Sequence, residues 1–367
     1  MEQLETNVLK TALYDRHCAL GAKIVNFSGW KMPVQYEGII PEHHAVRDRV
    51  GIFDVSHMGR ILVQGPEAEK FLDYLSTNVI AGKKDFSATY TVWSTHAGGC
   101  VDDVIVYKQD STHFFVIVNA GNRQKDLIHV QNESRAFNVQ VIDRYAEEGI
   151  LAIQGPLSQA LLAGIFPEAV HLPIMNFCYV TYEGQAMILS HTGYTGASGF
   201  EIYAPIKTIV NLWDRLLLEG KTYGISPIGL GARDTLRLEM GYALYGHEIS
   251  DEISAVESVS AWTVKWKKPE FLGKKALQKI EESSSKRSEY GVVLLDPGIV
   301  RAGYEVYKDD IKVGVVTSGS YSPTLNQAIA IVLVVGVLQE GDQLEIQVRQ
   351  HRCRAKVVKL PFVRGRT

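Results

Sequence analysis

The sequence predicts an α+β protein in three parts: two related antiparallel α+β units followed by a C-terminal β-barrel. Three observations carry that reading. A strand, Gly-Pro turn and helix pattern occurs twice, about ninety positions apart. Short alternating strands surround both copies without the regular strand–helix alternation that a parallel sheet requires. Beyond residue 286 the chain reads as closely spaced strands with no helical period. At 367 residues it is also too long for one comfortable core, so two or three domains are expected.

The first copy of the pattern is Ile61-Leu-Val-Gln64-Gly65-Pro66, with Ala68, Phe71, Leu72 and Leu75 behind it. The second is Leu151-Ala-Ile-Gln154-Gly155-Pro156, with Ser158, Leu161, Leu162 and Ile165 in the same slots. This i, i+3, i+4, i+7 spacing is the stripe of a helix lying on a sheet, and Pro66 and Pro156 suit a first helical turn. Alternation marks strands over 89–93, 113–118, 179–189 and 200–203, and a helix is expected over 232–240. The polar run Glu281-Glu-Ser-Ser-Ser-Lys-Arg287 reads as a connection. After it, strands are predicted over 290–295, 304–307, 312–317, 328–338 and 344–359. The boundaries that follow are 1–52 with 140–250 for a discontinuous first unit, 53–139 for the second, 251–285 as connecting segment and 286–367 for the barrel.

Composition narrows the function classes. With 38 basic against 41 acidic side chains the net charge is −3, which offers no general attraction to nucleic acid or an anionic membrane. Cys18, Cys100, Cys178 and Cys353 are widely spaced with no Cys-x-x-Cys pair, so neither a zinc site nor a disulfide framework is indicated and a reducing, cytoplasmic setting is expected. Glu2, Glu5 and Asp15 argue against a signal or transit peptide. The apolar run 328–338 is too short to cross a bilayer.

The chemistry concentrates in Gly98-Gly-Cys-Val-Asp-Asp103-Val-Ile-Val-Tyr107, which carries two adjacent carboxylates into an apolar strand. Alternation puts Val101, Asp103, Ile105 and Tyr107 on one face and Asp102, Val104 and Val106 on the other, so at most one Asp serves a given pocket. A buried carboxylate is either held by donors or waits for a ligand, and the alternative is that both satisfy turn amides after Gly98-Gly99. Other motifs weigh less. Gly229-Leu-Gly-Ala-Arg233-Asp234 lacks the third glycine of a dinucleotide loop. There Asp234 suits a helix N-terminus, and Arg233 is either an ion-pair partner or a ligand-orienting fork. Thr192-Gly-Tyr194-Thr-Gly-Ala197-Ser198-Gly-Phe-Glu201 suits close approach to a flat ligand, with hairpin glycines as the alternative. Phe53-Asp-Val-Ser-His57-Met58 is too compact for a hydrolase triad, and Glu42-His43-His44 lacks the i, i+4 histidine pair of a metal site, so one or both histidines are expected on an exposed helix face.

Taken in order, Phe27-Ser-Gly-Trp30-Lys-Met-Pro33, Glu42-His-His-Ala-Val-Arg47, Phe53-Asp-Val-Ser-His-Met58, Gly98-Gly-Cys-Val-Asp-Asp103, Val118-Asn119-Ala120, Gln154-Gly-Pro156, Thr192-Gly-Tyr-Thr-Gly196, Gly229 to Glu239, Leu244-Tyr-Gly246 and Thr317 to Leu325 resemble the aminomethyltransferase, or T-protein, family of the glycine cleavage system, nearly end to end. The resemblance implies three domains around a central channel, the third a β-barrel. It also implies transfer of a one-carbon unit from the aminomethyl-lipoyl arm of the H-protein carrier to tetrahydrofolate, without a metal and alongside the other glycine cleavage components. The products are 5,10-methylenetetrahydrofolate, ammonia and the dihydrolipoyl carrier. Of the two acids it selects Asp103 as the catalytic carboxylate. It places Glu201 and Arg233 at the folate, with both oxygens of Glu201 suited to the pterin edge, and Met58, Tyr90, Asn119 and Tyr194 around the ring. The chain departs from the family at Ala197-Ser198, usually Glu-Asp, and at Trp93, usually Met. Arg364 and Arg366 are candidates for the folate tail or simply a terminus. Folate-binding relatives that serve iron–sulfur enzymes carry a Lys-Gly-Cys-Tyr-x-Gly-Gln-Glu segment that no cysteine here matches, and flavin-dependent demethylases need an oxidase domain this chain lacks. A silent module holding only the lipoyl carrier is disfavoured by the retained Asp103, Glu201 and Arg233.

Overall fold

The computed structural model describes residues 8–364; Glu2, Glu5 and Arg366 lie outside the described residues. Both Gln-Gly-Pro copies fold as strand, turn and helix. Gly59–Gln64 leads to the helix Ala68–Leu75, and Glu148–Gln154 leads to the helix Ser158–Ala163. Gly65 and Gly155 share the same left-handed turn at φ +137° and +131°, and a Cβ on either would strike backbone, of Asn138 and of Arg49 respectively. Ala68, Phe71, Leu72 and Leu75 are all buried as the stripe requires. The second helix ends at Ala163, so Ile165 packs from beyond its end rather than from its face.

Two sheets grow from these units. One has six strands in the order Phe177–Tyr182, Gln185–Ser190, Gly199–Pro205, Glu148–Gln154, Val50–Asp54 and Ile225–Pro227, antiparallel except for the last pair. The other has five antiparallel strands in the order Ser87–Ser94, Cys100–Lys108, His113–Val118, Gly59–Gln64 and Gln140–Asp143. The predicted strand 179–189 is thus a hairpin that turns at Glu183-Gly184. The boundary expected after residue 52 falls inside Val50–Asp54, which pairs along its length in the six-stranded sheet. Residues 140–143 pair with Gly59–Gln64 in the other. Ladder hydrogen bonds therefore place the crossings between sheets at 55–58 and 144–147.

Each sheet covers one face with helices. Ile206–Glu219 and Ser158–Ala163 pack on the six-stranded sheet through Ile153, Phe200, Ile202, Leu212 and Trp213. Ala68–Leu75 and Arg123–Glu133 pack on the five-stranded sheet through Phe71, Leu72, Val104, Val106 and Val130. The opposite faces meet each other across a core that includes Phe53, Tyr107, Ile117, Phe177, Tyr203 and, from the helix Leu230–Glu239, Leu236. Tyr107 and Phe115 stack there at 4.2 Å and 9°. This inter-sheet layer positions the site.

The segment 251–285 is folded rather than a bare connection. Its Ala255, Val256, Phe271 and Leu277 pack against Val92 and Cys100, and the helix Lys274–Glu281 ends in a polar turn before Arg287. Six strands then close a barrel in the order Arg287–Leu294, Gln327–Val335, Ile311–Ser322, Glu305–Lys308, Gln343–Val348 and His351–Val358. The predicted strand 344–359 is two strands, because the chain turns back at Arg349, φ +55°, without a glycine to signal it. No helix among the described residues is long and apolar enough to cross a membrane.

Candidate functional site

The strand Cys100–Lys108 presents its two acids to opposite sides of the five-stranded sheet. Alternation holds from Asp102 onward, with Ile105 and Tyr107 in the inter-sheet core and Val104 and Val106 in the helix-covered core. It fails at Val101. Trp93 pairs with Asp102 and Ser94 with Cys100, so Val101 is the extra residue of a bulge and joins Val104 and Val106. Asp103 therefore faces the inter-sheet layer without the predicted Val101 beside it.

Asp102 is fully buried behind the sheet and held by donors. The Asn119 backbone N–H reaches its Oδ2 at 2.8 Å, and the side-chain amides of Asn119 and Asn122 donate to its Oδ1 at 2.9 and 2.7 Å. Asp103 is half-buried. It accepts from the Tyr90 hydroxyl at 3.0 Å and from Asn119 Nδ2 at 2.8 Å, so one amide bridges both carboxylates. Burial first, and then the charge of Asp102, push the Asp103 pKa up to about 7. Tyr90 is fixed in turn by Ser260 Oγ at 3.0 Å and by Trp262, stacked at 5.7 Å.

Across the layer, Glu201 and Tyr203 project from the neighbouring sheet toward Tyr107. Glu201 is 7% exposed, and its Oε2 accepts from Thr192 at 2.5 Å, Tyr203 at 3.1 Å and Tyr107 at 3.4 Å. Burial and the Glu201 charge raise the pKa of both tyrosines, so the hydroxyls stay protonated as donors. Oε1 accepts no hydrogen bond among the described residues, which leaves one oxygen, not two, for a ligand. Three hydroxyls have saturated the other.

Arg233 stands one turn into Leu230–Glu239, four residues after the glycine cap Gly229, whose carbonyl accepts its backbone N–H. It makes no ion pair among the described residues. Its guanidinium lies over the Tyr194 ring at 4.7 Å, with burial lowering its pKa and Tyr194 and Glu201 opposing that shift. Tyr194 donates to the Ala243 carbonyl and stacks on Tyr242 at 5.8 Å. Met58 packs against the inter-sheet core. Asp103, Tyr90 and Asn119 are thus directly bonded, Glu201 faces the same layer from the other sheet, and Arg233 with Tyr194 closes one side. A flat molecule with N–H donors on its edge suits a site with one free carboxylate oxygen, a near-neutral acid and aromatic walls.

Other motif residues have structural work. Asp234 does not cap its helix but accepts from Arg237 at 2.8 Å. His43 is buried between Thr235 and Thr324, at 2.8 and 3.0 Å, while His44 is exposed, so the expectation for that pair holds for one histidine. Glu42 accepts from the backbone of Tyr36, Gly38 and Gly229. In the Ala197-Ser198 turn, the Ser198 carbonyl accepts from the Gly155 backbone N–H and the Ser158 hydroxyl. Arg364 is exposed. His57, beside Met58, is buried with an unpartnered Nδ1, and burial holds its pKa at about 4. Among the described residues no group of three or more His, Cys, Asp and Glu is placed to hold a metal. Sequence reasoning missed Thr192, Tyr107 and Tyr203 as the clamp on Glu201, and Ser260 and Trp262 behind Tyr90. The first three stood in quoted motifs or on predicted faces, but nothing local signals that they converge.

Residues 13–268 match the GCVT N-terminal domain, and residues 287–364 match the glycine cleavage T-protein C-terminal barrel domain. The chain is 44% identical over 360 residues to the aminomethyltransferase of Pelodictyon phaeoclathratiforme, covering 96% of this chain and 98% of that one. It is 42% identical over 361 residues to that of Thermoanaerobacter pseudethanolicus, covering 97% and 98%. The crystal structure of glycine cleavage system aminomethyltransferase T from Bartonella henselae superimposes with a TM-score of 0.90 at 31% identity, over 98% of this chain and 99% of that one.

Proposed function

The chain belongs to the glycine cleavage T-protein family and is an aminomethyltransferase acting with tetrahydrofolate, and from that premise we propose that Asp103 is its catalytic carboxylate. The reaction moves a methylene carbon. Its bonds to the lipoyl sulfur and to the amino nitrogen break, and bonds to two folate nitrogens form. Each folate N–H gives up one proton, so the sulfur leaves as a thiol and the amine as ammonia.

A carboxylate that orients the ring nitrogen and takes its proton as the N–C bond forms lowers the barrier to that step, and it works best with a pKa near ambient pH. The single observation that supports Asp103 in the role is its fixation by Tyr90 and Asn119 on the inter-sheet face with a pKa of about 7. The same charge also stabilises a transient iminium cation at the carbon. Glu201 Oε1 accepts from the pterin edge, Arg233 lies against the folate, and Tyr90, Asn119, Tyr194 and Met58 shape the ring's walls. The donor is the lipoyl arm of the H-protein carrier. A cytoplasmic location fits the four free thiols, two of them buried.

The test is formation of 5,10-methylenetetrahydrofolate from aminomethyl-lipoyl H-protein and tetrahydrofolate by the wild type and a folded Asp103→Asn variant. Loss of turnover with folate binding retained supports the assignment. Wild-type-like turnover by the variant overturns it.

A further inference from the structure

Behind the catalytic face, the mechanism leaves one buried acid unused. Asp126 lies in the first part of the helix Arg123–Glu133 and is 0% exposed. Neither of its oxygens meets an N–H or hydroxyl donor among the described residues. What stands near it is the carboxyl of Asp102: Asn122, one helical turn before Asp126, donates to Asp102 Oδ1 at 2.7 Å. Two carboxyls buried side by side with no cation between them do not both stay ionised, so one carries a proton. Asp102 already accepts three N–H bonds from Asn119 and Asn122, which stabilise its anion, so the proton belongs on Asp126. Trp93 sits opposite Asp102 in the ladder and tilts against His129, closing this cluster from water.

We propose that Asp126 is a positioning residue for the transfer reaction: a neutral carboxylic acid that donates its hydrogen bond to Asp102, holds Asp102 as the anion, and through the shared amide of Asn119 fixes the orientation and proton affinity of Asp103. The chain of contacts is continuous, because Asn119 Nδ2 lies 2.9 Å from Asp102 Oδ1 and 2.8 Å from Asp103 Oδ1. The groups around Asp126 agree with a neutral acid. Asp102 faces it from the strand, and the charge of Asp103 acts in the same direction from the other side of the sheet. On its own helix, Lys125 is partly exposed and donates to the Tyr245 hydroxyl, while His129 is half-buried with its pKa lowered by that burial. Burial and Asp102 together push the Asp126 pKa up to about 11.

This inference rests on the reading of Asp103 above, and its test separates the two. Asp126→Asn keeps a neutral donor of the same shape. It is expected to retain turnover within about threefold of wild type and to leave the acid-side midpoint of the turnover profile in place. Asp126→Leu removes the donor and is expected to lower turnover at saturating substrates by about tenfold or more, with the folate KM little changed. Infrared difference spectra of the wild type against Asp126→Asn at neutral pH should show the loss of a carboxylic acid carbonyl band, a readout that needs no turnover and no leucine variant. Absence of that band, a downward shift of the acid-side midpoint in Asp126→Asn, or full activity in Asp126→Leu each overturns the proposal. Failure of Asp103→Asn to lose activity strikes the catalytic reading instead and leaves the infrared result standing.

Discussion

Between the two sheets, Asp103 has a hydroxyl and an amide for company, no cation within bonding distance among the described residues and a second acid behind it, and its pKa rises to about 7. Where the helix Leu230–Glu239 meets the barrel, Glu239 is more deeply enclosed, at 0% exposed, but bonded to Arg47, His43, Ser322 and Thr324. Burial alone would raise its pKa as well, yet those partners hold it at about 2. The two regions use the same functional group to opposite ends. At the junction, donors outnumber what one carboxylate needs, and the charge ties its helix to Arg47 and His43 on one side and to Ser322 and Thr324 of the barrel on the other. In the inter-sheet layer, donors are rationed so that a proton can come and go. Burial does not separate structural acids from chemical ones; the partner list does.

The sharpest way to break this contrast is to neutralise one acid on each side. Asp103→Asn should cut turnover by about 10²–10⁴-fold while leaving a folded protein that binds folate, measured as methylenetetrahydrofolate formed per enzyme. Glu239→Ala should do the reverse. It strands the Arg47 guanidinium in a buried site and should cost about 3–5 kcal/mol of stability by denaturant titration, with turnover per folded molecule little changed. Glu201→Gln falls between them. Its loss of one charged acceptor should weaken tetrahydrofolate binding by about ten- to a hundredfold in a fluorescence titration, because a hydrogen bond to an ionised group is worth about 1.5–3 kcal/mol. An unchanged Kd would remove Glu201 from the ring-binding role.

How much of this contrast was legible beforehand depended on the range of the interaction. The doubled Gln-Gly-Pro turn, its helical stripe and the run of barrel strands were readable because each is a local rule of spacing and turn chemistry. The opposite facing of Asp102 and Asp103 was readable for the same reason. Val101 was misplaced because a bulge depends on how the partner strand pairs, and the hairpin at Arg349 was missed because no turn residue marks it. The clamp of Thr192, Tyr107 and Tyr203 on Glu201 joins two sheets, and the Arg47–Glu239 pair spans 192 positions. Neither leaves a local trace. The choice of Asp103 over Asp102 came from family resemblance rather than from alternation, which shows only that the two differ.

The smallest predicted effect is the most direct measure of the contrast, because it reads the same two carboxylates through stability. Glu239 ionises more readily folded, at about 2, than at its ordinary 4.5, so its contribution is complete above about pH 4.5 and is lost as pH falls toward 2. Asp103 runs the other way. Its folded value of about 7 lies above its ordinary 3.8, so the folded state holds a proton that the unfolded chain releases, and stability falls as pH rises from about 4 to 7. Asp103→Asn has no proton to lose and escapes that decline. The variant should therefore match the wild type near pH 4 to 5 and exceed it at pH 8, by on the order of 1 kcal/mol or a few degrees in Tm, in ligand-free protein. Thermal melts of the pair at pH 5 and pH 8 measure the gap directly. A gap that fails to open with rising pH would mean that Asp103 is already ionised in the ligand-free fold. Its proton would then be acquired only with folate bound, and the contrast with Glu239 would be one of partners but not of proton affinity.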